Sequence, residues 1–311
     1  MSALAQSAPG VPPPLRVWLR AVRVFSFTAS ITPVLIGSGF ALVRRDFDPA
    51  LFVLIALASV LCHAGCNLAN DYFDHRKGID SAVSLGPAGV IQAGWLTMEQ
   101  VRLGIIATLS AATVLGLIVL ALSTWWLLAL ALPSLLVAVL YTGGPKPLGY
   151  MALGELTVWL FMGMGIVCGT FVAMTGHLSW EVAIGSLGIS ALVAAILHAN
   201  NLRDFELDRA AGKRTLAHVL GWRNAVREFV ALIVLAFGFA AILIVVWPAN
   251  WPVLLVLATI PAAGALIQLV RTNIDAKSLN MSVRATAQLH FRFGLLFTLG
   301  LVIRAAIDYL D

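Results

Sequence analysis

Charge is what this chain has least of. Only 11% of its 311 residues are Asp, Glu, Lys or Arg, while 60% are hydrophobic and the mean hydropathy is +0.94. An average soluble domain carries roughly a quarter charged residues, so too few polar side chains remain to cover a soluble fold of this length. Short alternating strands are missing too, which argues against a membrane β-barrel. The apolar runs are continuous and about one bilayer crossing long, ~20 residues as helix. Cysteine is also scarce. Cys62, Cys66 and Cys168 form an odd set with no Cys-x-x-Cys pair, which gives no disulfide framework. Cys62, His63 and Cys66 lie in an apolar run and read as helix-packing residues rather than metal ligands. The formal charge of +5 does not point to nucleic acid, because a basic excess in a membrane protein marks cytoplasmic loops.

What is present is a series of apolar segments. Nine spans are predicted, near 24–43, 51–70, 103–122, 125–142, 153–175, 182–200, 228–247, 251–270 and 289–308, with only Ser123-Thr124 dividing the third from the fourth. The Pro-rich residues 1–15 lack the apolar core of a signal peptide and are expected to form a disordered cytoplasmic tail. Residues 16–311 are expected to form a single transmembrane domain. With the N-terminus in the cytoplasm, nearly all Lys and Arg fall on that side, and only Arg44, Arg45 and Arg304 fall on the other.

Two charge-rich loops, 71–102 and 201–227, follow the second and sixth spans. Each span ends in Asn and runs into a similar pattern: Asn70-x3-Asp74 in the first, Asn200-x3-Asp204-x3-Asp208 in the second. The repeat implies a duplicated four-helix unit plus one helix, with a site between the halves. Spacing of i, i+4 puts Asn70 with Asp74, and Asp204 with Asp208, on one helix face. These are oxygen donors of the kind that hold magnesium together with substrate phosphates. Interleaved Arg76, Lys77, Arg203, Lys213 and Arg214 suit phosphate charge. A third loop, Tyr141-Thr-Gly-Gly-Pro-Lys146-Pro-Leu-Gly-Tyr150, lies on the same side, and its glycines allow close backbone approach to a ligand.

Several segments carry a resemblance: WLRAVRVFSF (18–27), NLANDYFDHRKGID (67–80), YTGGPKPLGY (141–150), GELTVWLFMG (154–163) and NNLRDFELDRAAGKRTLA (200–217). Over nearly its whole length the chain resembles the UbiA superfamily of intramembrane prenyltransferases, most of all the branch acting on 1,4-dihydroxy-2-naphthoate in menaquinone synthesis. One departure is Gly78, where the superfamily often has the last Asp of its first motif. The next carboxylate here is Asp80.

The resemblance implies an all-α, nine-helix bundle with a central cavity, in the cell (inner) membrane, capped by the two Asp loops. It implies Mg2+, a polyprenyl diphosphate and an aromatic acceptor as partners, with membrane lipid around them. On this reading Asn70, Asp74, Asn201, Asp204, Asp208 and, more distantly, Asp80 hold the metal and diphosphate, with Asp71 in support. Arg23, Lys77, Lys146 and Lys213 are candidate phosphate contacts. Asn67, Tyr141, Asn200 and Arg203 are further candidate substrate contacts, and Lys146 joins Asp71, Asp74, Asp204 and Asp208 as a candidate catalytic group. Alternative acceptors are 4-hydroxybenzoate, homogentisate or a chlorophyllide. The alternative outside enzymology, a transporter, would need polar groups at mid-membrane, which the spans largely lack.

Overall fold

The computed structural model describes residues 14–76, 78, 89–141, 143 and 147–310. Lys77, Asp80 and Lys146, together with residues 1–13, lie outside the described residues. Twelve helical elements organise the described residues. They are α1 (Pro14–Ala21), α2 (Thr28–Val43), α3 (Pro49–Arg76), α4 (Met98–Leu122), α5 (Leu128–Leu140) and α6 (Gly154–Thr175). There follow α7 (Trp180–Arg203), α8 (Phe205–Ala210), α9 (Leu216–Leu220), α10 (Trp222–Val246), α11 (Pro248–Thr272) and α12 (Ala276–Leu310).

Among the described residues, eight helices are long and apolar enough to cross a membrane. The fourth expected span is the exception. It consists of a short turn, Trp125–Leu127, and α5, which is 13 residues long with Pro133 inside it. The fold is therefore the expected all-α multi-pass bundle, with eight long helices and one short apolar helix.

The core lies between α2, α6, α7, α10, α11 and α12, where Phe40, Phe171, Phe229, Phe293 and Phe297 are fully buried. α3 and α4 pair as an antiparallel hairpin to one side. α4 and α5 turn Leu103, Ile106, Leu117, Leu132 and Leu136 outward. In lipid such a face needs no polar cover, and helix association relies on close packing of small residues. Gly163 and Gly294 show this: a Cβ on Gly163 would meet Ser190 at 2.3 Å, and one on Gly294 would meet Thr32 at 1.8 Å. Gly163 lies in a π-helical stretch, Val158–Gly165, that widens α6 where it meets α7.

Helix length brings the Asp motifs out of the bilayer. α3 has 28 residues, about 42 Å at 1.5 Å per residue, against a hydrocarbon core of ~30 Å. Its last two turns therefore carry Asn70, Asp71 and Asp74 as helical residues rather than as part of a loop. α12 likewise begins at Ala276, well before the expected span at 289, and so reaches the same end of the bundle.

Candidate active site

The end of α3 and the short helix α8 meet through Lys213. Its ammonium stands 3.7 Å from Asp74 Oδ2 and 3.6 Å from Asp208 Oδ1. Gly212 makes this reach feasible. At φ 72° it takes the left-handed conformation that ends α8, and Lys213 N then bonds Asp208 O at 2.9 Å. Tyr150, from the loop between α5 and α6, donates its hydroxyl to Asp74 and lies beneath Lys213, whose Nζ is 5.0 Å from the ring centroid. The same loop is tied to the second motif by a bond from Ala152 N to Arg214 O at 2.9 Å. All three expected segments thus converge at one end of the bundle.

The other motif residues take separate roles. Asp71 is buried at 3% exposure and pairs with Arg23. Asn67, one turn earlier, donates to Val22 O at 2.9 Å and so fixes the segment that carries Arg23. Arg23, the candidate phosphate contact, thus has a carboxylate as one of its partners. Asp204 ends α7 and takes the Arg203 guanidinium through Nε at 2.8 Å and Nη2 at 2.5 Å. Arg203 Nη1 also reaches Asn280 Oδ1 on α12 at 3.3 Å. The neighbouring asparagines diverge. Asn200 turns its amide back to Ile196 O at 3.0 Å, within its own helix. Asn201 donates to Glu155 Oε1 at 2.8 Å. Tyr141 packs among Ala29, Val158 and Val193 at the inner edge of the site.

The electrostatics follow from burial. Withdrawal from water pushes the Asp208 carboxyl up to about 6, with Lys213 pulling against the shift and Asp204 adding to it. Lys213 is raised above the ordinary lysine value, because Asp74, Asp208 and Asp204 outweigh its own burial. Asp74 and Asp208 thus share one ammonium at distances longer than a hydrogen bond. Their donors are all oxygen, which fits a divalent cation of the magnesium kind. Among the described residues, no three His, Cys, Asp or Glu side chains gather into a metal cluster. A cation here would therefore need further oxygens, such as those of a bound diphosphate.

Tyr150, Glu155 and His198 were not singled out by the sequence. Glu155 did carry a signal, as an acid inside an apolar span. Tyr150 closes the YTGGPKPLGY segment and carried no signal of its own.

The model of the UbiA prenyltransferase family matches residues 30–302. The chain belongs to the UbiA prenyltransferase family. It is similar to proteins named 1,4-dihydroxy-2-naphthoate octaprenyltransferase from Bacillus subtilis and from Haemophilus influenzae. The first is 30% identical over 281 residues, 90% of each chain. The second is 30% identical over 298 residues, 93% of this chain and 96% of the relative. A Drosophila melanogaster homolog of UbiA prenyltransferase domain-containing protein 1 is 33% identical over 290 residues, 91% of this chain and 78% of the relative. Among solved structures, the UbiA homolog from Archaeoglobus fulgidus bound to GPP and Mg2+ superposes with a TM-score of 0.66. It is 14% identical and covers 91% of this chain and 99% of its own. The protein is thus a multi-pass membrane prenyltransferase.

Proposed function

We propose that this prenyltransferase joins a polyprenyl group from its diphosphate to 1,4-dihydroxy-2-naphthoate, releasing carbon dioxide and diphosphate and giving the quinol form of a demethylmenaquinone, which reaches the quinone only by a separate oxidation. The observation that carries the reading is the meeting of Asp74, from the first motif, with Asp208 and Lys213, from the second, over Tyr150. The acceptor is inferred from the names of the relatives that share most of this chain's length.

In this reading Asp74, Asp208 and Asp204, with Asn70 and Asn201, hold Mg2+ and the diphosphate, and Mg2+ supplies charge neutralisation to the departing diphosphate. Lys213 moves from its two carboxylates toward phosphate oxygens as the substrate enters. Asp71 holds Arg23 at the edge of the site. The apolar helices below exclude water, so the allylic carbon reacts with the acceptor ring rather than being hydrolysed. Lys77, Lys146 and Asp80 keep the supporting roles that the resemblance gives them.

The N-terminus and both Asp motifs face the cytoplasm, and the protein resides in the inner membrane as one domain over 16–311. The bias of Lys and Arg supports this orientation. In a cysteine-free background, a cysteine at exposed Glu206 should react from the cytoplasmic side and one at exposed Leu178 from the other. The reverse pattern would invert the topology. The acceptor is tested by supplying purified protein with Mg2+, a polyprenyl diphosphate, and either 1,4-dihydroxy-2-naphthoate or 4-hydroxybenzoate. The expected product by mass is the prenylated naphthalenediol without its carboxylate. A prenylated 4-hydroxybenzoate alone would overturn the acceptor.

A further inference from the structure

Beneath the second motif lies a buried group of side chains that the proposed chemistry does not use. Glu155, on the first turn of α6, is 4% exposed, and His198, on α7, is fully buried. His198 Nδ1 is 2.8 Å from Glu155 Oε1, and its Nε2 is 2.8 Å from Ala225 O on α10. A carbonyl only accepts, so Nε2 carries a proton. Glu228, also on α10, stands 3.7 Å from the same Nε2. The imidazole thus lies between two acids and is pinned at both nitrogens. It fixes Glu155 Oε1, and that oxygen also receives Asn201 Nδ2 at 2.8 Å.

An acid at this depth requires explanation. Buried carboxylates in a membrane helix are costly and are kept where paired or functional. Three elements, α6, α7 and α10, hold this one, and its other oxygen, Oε2, has no hydrogen-bond partner among the described residues. The consequence for Asn201 is specific. An amide has a donor end and an acceptor end, and a carboxylate takes only the donor end. With Nδ2 committed to Glu155, Oδ1 is the end left for a cation or a donor. Asn201 immediately precedes Leu202 and Arg203, three residues before Asp204, so its carbonyl belongs to the second motif. Asn200, the other amide of the pair, is anchored to its own helix.

We propose that Glu155, held by His198, is a positioning residue that fixes the amide of Asn201 with its carbonyl oxygen toward the cation–diphosphate site. This deepens the reading given above and rests on Asn201 being a ligand there. Groups behind metal ligands act in this way, and removing one weakens metal binding by about 10- to 100-fold. Neither Glu155 nor His198 touches the substrate. Both act through Asn201.

The test is a double-mutant cycle on purified protein, read by Mn2+ binding in the presence of inorganic diphosphate, with free Mn2+ followed by electron paramagnetic resonance. Asn201→Ala and Glu155→Ala should each weaken Mn2+ binding by about tenfold or more. The double variant should bind no more weakly than Asn201→Ala alone, because Glu155 has nothing left to orient. In turnover, Glu155→Ala should raise the Mg2+ concentration needed for half-maximal rate more than it lowers kcat at saturating Mg2+. Multiplied losses in the double variant, or wild-type Mn2+ affinity in Glu155→Ala, would overturn the proposal.

Should Glu155→Ala not fold, the same cycle is run with Glu155→Gln. That variant keeps an acceptor oxygen and should lose less affinity, again with no added loss beside Asn201→Ala. If Asn201→Ala itself binds Mn2+ like the wild type, Asn201 is not a ligand and the proposal falls with it. The acceptor assignment, read by product mass, stands or falls separately.

Discussion

At the end of the bundle away from the Asp motifs, Glu181 receives Arg44 at 2.8 Å, Asn250 at 2.9 Å and Arg304. Asn250 Oδ1 takes Arg304 as well, at 2.6 Å. At the motif end, Asp74 and Asp208 share one ammonium at 3.6–3.7 Å. The two ends belong to the same helix pattern: Glu181 opens α7 and Asp204 closes it, about 36 Å away at 1.5 Å per residue over its 24 residues. One carboxylate has more positive charge than it needs, while two others have less. The far cluster joins α2, α7, α11 and α12, and both oxygens of Glu181 are paired in it. The near cluster is short of positive charge, as a site for a cation and an anionic substrate must be before they arrive. Satisfaction, more than charge content, separates a structural clamp from a binding site.

The largest effect that would break this contrast comes from the near end. Asp74→Ala and Asp208→Ala should each lower kcat by at least about 10²-fold, the usual consequence of losing a group that stabilises developing charge. Thermal unfolding of Asp208→Ala in detergent should stay close to wild type, because Asp208 is only loosely paired, whereas Asp74→Ala also loses the Tyr150 hydroxyl bond and should be destabilised by no more than about 1.5–3 kcal/mol. A variant with near-normal turnover would remove that residue from the site. A strongly destabilised one would make the near cluster a clamp like the far one.

The far end predicts the reverse. Glu181→Ala leaves Arg304, 12% exposed, without its carboxylate, and breaking a buried pair on one side costs about 3–5 kcal/mol. Unfolding should shift by that much, while kcat/KM of the folded fraction at low temperature is retained. Loss of turnover without loss of stability would show that the far cluster serves the chemistry.

Tyr150→Phe sharpens the comparison with a smaller change. It removes only the hydroxyl that Asp74 accepts. A hydrogen bond to a charged group contributes about 1.5–3 kcal/mol, so turnover should fall by at most roughly 10- to 150-fold. Unchanged kcat and KM would make Tyr150 a ring beneath Lys213 and nothing more.

These residues also show what the sequence could convey. Helix type and the multi-pass architecture were legible because an apolar run of bilayer length has one low-energy backbone in lipid. The Asp motifs were legible because charge in such a chain stands out, and because Asn70-x3-Asp74 is echoed by Asn200-x3-Asp204. Partnership was not legible. Arg23 is 48 residues from Asp71, and Glu181 is 123 residues from Arg304. Nothing local indicates that Arg23 pairs with Asp71, or that the side chain of Asn201 and not that of Asn200 reaches beyond its own helix. The shortness of the fourth apolar segment was also not legible, for another reason. Composition scored α5 as a span, while Pro133 and the turn at Trp125–Leu127 limit its helical length.

The smallest effect concerns pH in the metal-free protein. Burial raises the Asp208 carboxyl to about 6 from an ordinary value near 3.8. A raised carboxyl binds its proton more tightly folded than unfolded. Its contribution to stability is therefore fully present below about pH 4 and lost as pH rises through about 6. Lys213 is raised too, but it titrates far above this window and stays charged throughout. Metal-free protein should thus lose stability between pH 5 and pH 7 by an amount on the order of 1 kcal/mol, about 2–4 °C in Tm. Asp208→Asn, which cannot ionise, should flatten that slope, whereas Glu181→Gln, at the fully paired end, should lower stability without changing the slope. An equal slope in wild type and Asp208→Asn would mean that Asp208 is already neutralised by Lys213 alone. The near cluster would then be as satisfied as the far one, and the contrast between the two ends would be lost.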